Sequence, residues 1–205
     1  MIPVFDAKQE NAPYREAVEK AIRQVIDSGC YLFGEQLEAF EHEFSQYCEV
    51  EHAVGVGSGS DAISLMLQAG LQLGMFEPGD EIIVPTNSFT ASAMSISRAG
   101  LQPAYADVDP VTLNLSQEGV EDALTNKTRA IMAVHLYGQI CDMDMLRELC
   151  KKHNLYLFED AAQALGARWH GQPAGSHGVA TAFSFYPTKI LGAFGDAGAT
   201  EVRAG

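Results

Sequence analysis

The sequence predicts an α/β protein with a mostly parallel sheet that is flanked by helices on both faces. Short apolar runs of strand length alternate along the chain with longer segments whose apolar residues recur at helical spacing. The apolar runs are nearly continuous, which is typical of parallel strands buried on both faces. No repeat or low-complexity linker interrupts the alternation, so we expect one continuous sheet.

Glycine and cap residues delimit the predicted elements. The apolar spacing of residues 12–28 predicts a helix that Gly29 ends, and the hydroxyl of Ser116 is suited to cap another helix. The other predicted helices cover residues 35–48, 61–73, 90–98 and 142–153. The predicted strands cover residues 52–56, 82–84, 101–106, 129–136, 155–160 and 180–186, and a last one starts at 198–203.

Composition excludes several classes of protein. The net charge of −14 argues against a nucleic-acid partner, because a phosphate backbone requires a basic face. The cysteines form neither a CxxC pair nor a metal-binding spacing with histidine, so we expect reduced thiols, no metal site and a cytoplasmic protein. No apolar run approaches the ~18 residues of a membrane span, and the first ten residues carry charges and no apolar core, which argues against a signal peptide.

Lys189 is the only formally charged residue between Arg168 and Asp196. Its neighbours in sequence are apolar or glycine, and desolvation would favour the neutral, nucleophilic amine that attacks a carbonyl. The alternative is a lysine whose stem packs while its ammonium group reaches water.

Asp160 ends the apolar run 155–160, which precedes Lys189 by 29 positions. Ligands of open α/β sheets bind outside the carboxyl ends of the strands, so we expect Asp160 and Lys189 to face one site. Pyridoxal 5'-phosphate requires a lysine that reacts with its aldehyde and a carboxylate that keeps its ring nitrogen protonated, and this pair of residues suits it. Gln163 and Ser184 add polar groups at the same edge.

A second candidate binding feature is the turn Gly57-Ser58-Gly59-Ser60 between a predicted strand and helix. Free amides at a helix start bind anions, although many such turns bind nothing. The glycines could instead indicate a dinucleotide fold, which expects an acid at the carboxyl end of the second strand. Asp80 and Glu81 lie at its amino end, which disfavours that interpretation.

Several motifs, in order, resemble the DegT/DnrJ/StrS family of pyridoxal-phosphate sugar aminotransferases. They are GSGSDAI (57–63), GDEIIVPTNSFTASA (79–93), VHLYGQICDMD (134–144), FEDAAQALGA (158–167) and AFSFYPTKILGAFGDAGA (182–199). The resemblance implies the large domain of a fold-type I transferase. It also implies that the chain, residues 1–205, is an incomplete, C-terminally truncated cofactor-binding domain without the small C-terminal domain.

The resemblance also implies roles for individual residues. Lys189 would hold the cofactor as a Schiff base and move the substrate proton, Asp160 would pair with the ring nitrogen, and Phe89 would stack on the ring. Gln163 would meet the phenolic oxygen. The phosphate would bind the amides of Ser60 and Asp61 and the hydroxyl of Ser184.

The implied reaction moves the amino group of L-glutamate to a nucleotide-linked keto-deoxysugar, for O-antigen, other surface polysaccharide or aminosugar biosynthesis. Family active sites form in a homodimer. Ile190 and Ala197 depart from the common Asn and Gly of the family, and neither is a catalytic position. A sugar dehydratase of the same fold would have histidine in place of Lys189. A non-catalytic cofactor or effector binder is the remaining alternative.

Overall fold

The computed structural model describes residues 4–202 of the chain. Seven of its strands form one sheet, in the order β1-β9-β8-β5-β4-β2-β3, and two form a separate short hairpin. In chain order the strands are β1 (His52–Val56), β2 (Glu81–Pro85), β3 (Gln102–Ala106), β4 (Thr128–Val134), β5 (Tyr156–Asp160), β6 (Arg168–Trp169), β7 (Gln172–Pro173), β8 (Ala180–Ser184) and β9 (Gly198–Val202).

Parallel pairing dominates the sheet, as predicted. Strands β8, β5, β4, β2 and β3 are parallel neighbours, whereas β9 is antiparallel to both β8 and β1. The chain passes from β8 to β9 through residues 185–197, which contain no helix. Without a crossover helix the strand returns in the opposite direction.

Seven α-helices lie in the described residues. They are α1 (Ala7–Asn11), α2 (Arg15–Ser28), α3 (Glu35–Tyr47), α4 (Gly59–Gln72), α5 (Thr90–Arg98), α6 (Gln117–Ala123) and α7 (Met143–His153). The last five of them contact the sheet. Gly29 ends α2 with a left-handed φ of 67°, and the Ser116 hydroxyl accepts the Gly119 N–H at 3.0 Å. Both predicted caps are therefore confirmed.

The boundaries differ from prediction mainly at the carboxyl edge of the sheet. Helix α4 begins two residues earlier than expected, because the Ser58 side chain caps it. Strands β4 and β8 each end two residues early, since the chain leaves the sheet at His135 and Phe185. The predicted end of the last strand, Arg203, lies outside the described residues.

Two apolar cores cover the two faces of the sheet. On β4, Ile131 packs into the core formed with α3, α6 and α7, while Met132 packs into the core formed with α4 and α5. Both side chains are fully buried. This alternation explains why the central strands have continuous apolar runs. Among the helices of residues 4–202, none has both the length and the apolar character to cross a bilayer.

Glu201 on β9 is a charged residue inside the α3 face of the sheet. It is 1% exposed, and no N–H or O–H group of the described residues donates to its carboxylate. Burial raises the pKa of Glu201 to about 8, repulsion by Glu159 adds to this, and the Cys48 thiol opposes it. A raised pKa means that this group costs stability as the pH rises toward 8.

We expect Glu201→Gln to raise the free energy of unfolding by about 1–3 kcal/mol at pH 8 and to leave it unchanged near pH 4. The reason is that Gln keeps the shape of the protonated acid and never ionises. Urea unfolding at both pH values measures the effect, with the exposed Glu148→Gln as control. A gain of the same size at pH 4 and pH 8 would contradict this account.

Candidate active site

A cavity of about 540 Å³ opens at the carboxyl edge of the parallel strands. The segments that follow β1, β2, β4, β5 and β8 line it, as expected for ligand sites of open α/β sheets. Six of the seven predicted site residues are among its lining residues: Ser60, Phe89, Asp160, Gln163, Ser184 and Lys189. The seventh, Asp61, is not a lining residue.

Asp160 and Glu159 are adjacent acids whose side chains lie on opposite faces of β5, as the two-residue period of a strand requires. Asp160 is 6% exposed and faces the cavity. Its Oδ2 accepts the Ser92 hydroxyl at 2.7 Å and its Oδ1 accepts the Ala162 N–H at 3.1 Å. Each oxygen is therefore held by one donor, and the carboxylate has a defined orientation.

Lys189 lies in the loop after β8, where its own N–H donates to the Tyr186 carbonyl oxygen at 2.8 Å. Its side chain lines the cavity together with Asp160. Of its apolar neighbours in sequence, Phe185 is 5% exposed, whereas Ile190 and Phe194 are each 70% exposed. The apolar residues that follow Lys189 are therefore largely open to solvent.

The turn after β1 forms the start of α4 and one end of the cavity. The amides of Gly59 and Ser60 belong to the first turn of this helix, where N–H groups lack intrahelical partners and favour anions. The amide of Asp61 instead donates to the Ser58 hydroxyl at 3.1 Å. The structure thus brings Ser60 to the cavity and gives the Asp61 amide to the helix cap.

Close approach of backbones explains the glycines around this turn. A Cβ on Gly59 would lie 2.7 Å from the Ser184 Cβ, and a Cβ on Gly198 would lie 2.5 Å from the Ser58 carbonyl carbon. Glycine therefore lets the turn rest against β8 and β9. This contact places the Ser184 hydroxyl beside the free amides of α4.

Phe89 and Gln163 complete the predicted set. Phe89 immediately precedes α5 and is 71% exposed, so it is not the core residue that a lone phenylalanine usually is. The Gln163 Oε1 accepts the Tyr137 N–H at 3.2 Å, and the side-chain amide therefore has its donor, Nε2, for other groups. Tyr137 has a left-handed φ of 60°, a strained conformation that is common near functional sites.

Behind the cavity, a buried hydrogen bond joins His135, which follows β4, to Glu159 on β5. His135 Nε2 lies 2.9 Å from Glu159 Oε2, and both side chains are fully buried. The Cys141 N–H donates to His135 Nδ1 at 3.3 Å, so the ring proton belongs on Nε2 and points at Glu159. Both ring nitrogens of His135 are thus used in structural hydrogen bonds.

Glu159 also holds the segment that leads into β8. Its oxygens accept the N–H groups of Gly175, His177 and Gly178 at 3.1, 2.8 and 2.6 Å. Burial alone would raise the pKa of Glu159, but His135 and the glycine N–H groups lower it to about 2. The carboxylate thereby fixes the entry of the strand that carries Ser184 and precedes Lys189.

The cavity suits a flat heteroaromatic phosphate. Its volume lies within the range of about 300–1,000 Å³ that is usual for small-molecule sites. An amine and an oriented carboxylate line it, and a helix start with free amides borders it. Ser92 is the functional candidate that the sequence did not indicate, because its bond to Asp160 spans 68 positions.

Comparison with known proteins identifies the family. A model of the DegT/DnrJ/EryC1/StrS aminotransferase family matches residues 14–203, nearly the whole chain. The chain belongs to this family. Its DegT/DnrJ/EryC1/StrS relatives include the dTDP-3-amino-3,4,6-trideoxy-alpha-D-glucose transaminase of Streptomyces venezuelae, 48% identical over 97% of this chain and 51% of the relative.

Solved structures of family members show the same fold. The structure of S. venezuelae DesV in complex with a ketimine intermediate matches with a TM-score of 0.92 and 46% identity, over 99% of this chain and 54% of that one. An Escherichia coli GDP-4-keto-6-deoxy-D-mannose-3-dehydratase with bound hydrated PLP matches with a TM-score of 0.85 and 30% identity, over 91% and 48%. The chain spans about half the length of these relatives.

Proposed function

We propose that this protein is a pyridoxal-phosphate-dependent aminotransferase that moves the amino group of L-glutamate to a nucleotide-linked keto-deoxysugar. One observation carries the proposal. Lys189 and Asp160, predicted from sequence to serve one ring, line the same cavity, and that cavity is bordered by the amino end of α4. Membership of the aminotransferase family supports it.

When bound, pyridoxal phosphate supplies an aldehyde that accepts amines and a protonated ring that withdraws electrons. Asp160 would hold the proton on the ring nitrogen, and Phe89 would pack on the ring. The Gly59 and Ser60 amides and the Ser184 hydroxyl would bind the phosphate. Gln163 would donate through Nε2 to the phenolic oxygen.

Lys189 has two tasks in this proposal. Its Nζ would hold the cofactor through the aldehyde. The same amine would move the proton at the substrate carbon when an amino substrate is bound. Both tasks require the amine to stay within the cavity, and the presence of Lys189 and Asp160 in one cavity lining supports this.

The finer parts of the proposal concern partners and setting. We place the reaction in the cytoplasm, in O-antigen, surface-polysaccharide or aminosugar biosynthesis, and residues 1–205 in a large cofactor-binding domain that forms a homodimer. Exposed apolar side chains in the loops before α3 and after β8 support a homodimer, since patches of this kind mark interaction surfaces. They include Tyr31, Leu32, Phe33, Ile190 and Phe194.

The test is a half-reaction with the purified protein and stoichiometric pyridoxal phosphate. Adding L-glutamate is expected to shift the absorption of the bound cofactor and to release one 2-oxoglutarate per site. D-glutamate serves as control and is expected to release none. Because a single turnover is scored, no sugar substrate is needed.

Three other outcomes would overturn the proposal. Bound cofactor that never yields 2-oxoglutarate would favour a non-catalytic binder. Loss of the sugar hydroxyl without amination, when a nucleotide-linked keto sugar is added, would indicate a dehydratase. Bound nicotinamide without pyridoxal would indicate an oxidoreductase.

A further inference from the structure

Helix α5 presents two buried serines on the face that lies toward the cavity. Ser92 and Ser95 are each 1% exposed and lie three positions apart, so they share one helix face. Phe89 lies three positions before Ser92, immediately before the helix, and lines the cavity. The three residues form a row from the cavity along α5.

The two hydroxyls bond to opposite ends of the candidate site. Ser92 Oγ donates to Asp160 Oδ2 at 2.7 Å, a short distance typical of a hydrogen bond to a carboxylate. Ser95 Oγ donates to the Ser60 carbonyl oxygen at 3.1 Å, in the first turn of α4. Helix α5 thus connects the carboxylate directly to the anion-binding turn.

Helix stability does not explain this pair of serines. Alanine has the higher helix propensity, and a buried hydroxyl costs stability unless it is hydrogen-bonded. The exposed Ser97 on the same helix bonds only to the Ala93 carbonyl oxygen of its own helix, at 3.2 Å. Only the two buried serines reach other elements, and each reaches a cofactor-site residue.

We propose that Ser92 and Ser95 are positioning residues, which make α5 a rigid spacer between the Asp160 carboxylate and the start of α4. Ser92 orients the Asp160 carboxylate toward a ring nitrogen. Ser95 fixes the position of the first turn of α4 relative to that carboxylate. One bound molecule then meets both groups at once. This inference rests on the proposed binding of pyridoxal phosphate.

The test compares Ser92→Ala, Ser92→Thr, Ser95→Ala and the control Ser97→Ala. Ser92→Ala is expected to weaken pyridoxal-phosphate binding about 10-fold or more and to change the pH dependence of the absorption of the bound cofactor. Ser92→Thr, which keeps the hydroxyl, is expected to restore the spectrum. Ser95→Ala is expected to weaken binding about 2–10-fold with an unchanged spectrum, and Ser97→Ala to match the wild type.

Two results separate this inference from the proposed function. If the wild type binds the cofactor and Ser92→Ala shows the same affinity and spectrum, the spacer is refuted and the function stands. If the wild type binds no pyridoxal phosphate, the proposed function is refuted. In that case, thermal unfolding of the ligand-free protein still tests the Ser92–Asp160 contact.

The ligand-free measurement is a double-mutant cycle. Ser92→Ala and Asp160→Ala are expected to shift the unfolding temperature non-additively, because each removes the same hydrogen bond. Additive shifts would overturn the inference. If Ser92→Ala does not fold, Ser92→Cys replaces it, since it keeps the volume and donates only weakly.

Discussion

Lys189→Ala is expected to abolish the half-reaction with L-glutamate, lowering its rate by at least about 10³-fold. The reason is that this amine both attaches to the cofactor and moves the substrate proton, and alanine can do neither. Rapid mixing of the protein, preloaded with pyridoxal phosphate, measures the rate from the change in cofactor absorption. Before glutamate is added, the absorption of the cofactor bound to Lys189→Ala is also expected to differ from that of the wild type. The reason is that the variant holds the cofactor without a covalent bond.

Matched variants show whether the loss is specific. Lys189→Arg keeps the positive charge but is a poor nucleophile, and is expected to be as inactive as the alanine variant. Lys151→Ala removes an exposed lysine at the end of α7 and is expected to leave the rate unchanged. A Lys189→Ala protein that retains a tenth of the wild-type rate would exclude Lys189 as the proton-moving group.

Glu159→Gln is expected to lower the free energy of unfolding by about 3–5 kcal/mol at pH 7. The substitution removes a buried charge on which His135 and three backbone N–H groups converge, and the Gln amide group turns a donor toward one of them. Urea unfolding measures the difference. Glu148→Gln, on the exposed side of α7, is the control and is expected to change stability by less than about 0.5 kcal/mol.

The pH dependence gives a second measure of the same group. The pKa of Glu159 is lowered from 4.5 to about 2 in the folded protein. Its contribution is therefore present above about pH 4.5 and is lost as the pH falls toward 2; for a shift of this size it amounts to about 3 kcal/mol. The wild type is expected to lose this stability on acidification, and Glu159→Gln is not. Parallel acid-unfolding profiles would contradict the assignment.

The fold was largely predictable because strand burial and cap chemistry are local signals. The continuous apolar run ending at Asp160 predicted a doubly buried strand, and β5 is one. The direction of β9 was not predictable, because it depends on the absence of a crossover helix between residues 185 and 197. Cap residues such as Ser116 were clear signals since the hydroxyl bonds within one turn.

The candidate site was predictable to the extent that it follows from strand ends. Two neighbouring strands end at Asp160 and Ser184, and Lys189 follows the second of them. Because the carboxyl ends of these strands meet at one edge of the sheet, the proximity of the three residues needed no side-chain detail. The exposure of Ile190 and Phe194 was not predictable, because sequence neighbours on a loop do not share a direction. The bond from Ser92 to Asp160 spans 68 positions, and no local pattern reports such a contact.

The lysines of the chain permit a direct test of the central claim. The sequence has six: Lys8, Lys20, Lys127, Lys151, Lys152 and Lys189. The first five are exposed, and only Lys189 lines the cavity within the described residues. Chemical accessibility alone would therefore favour modification of the other five.

The decisive measurement is borohydride reduction of the protein with one equivalent of pyridoxal phosphate, followed by peptide mapping by mass spectrometry. The account predicts that the pyridoxyl group is found on Lys189, and that excess inorganic phosphate lowers its yield by competing at the start of α4. Label spread over the exposed lysines, or label on any single lysine other than Lys189, would contradict it.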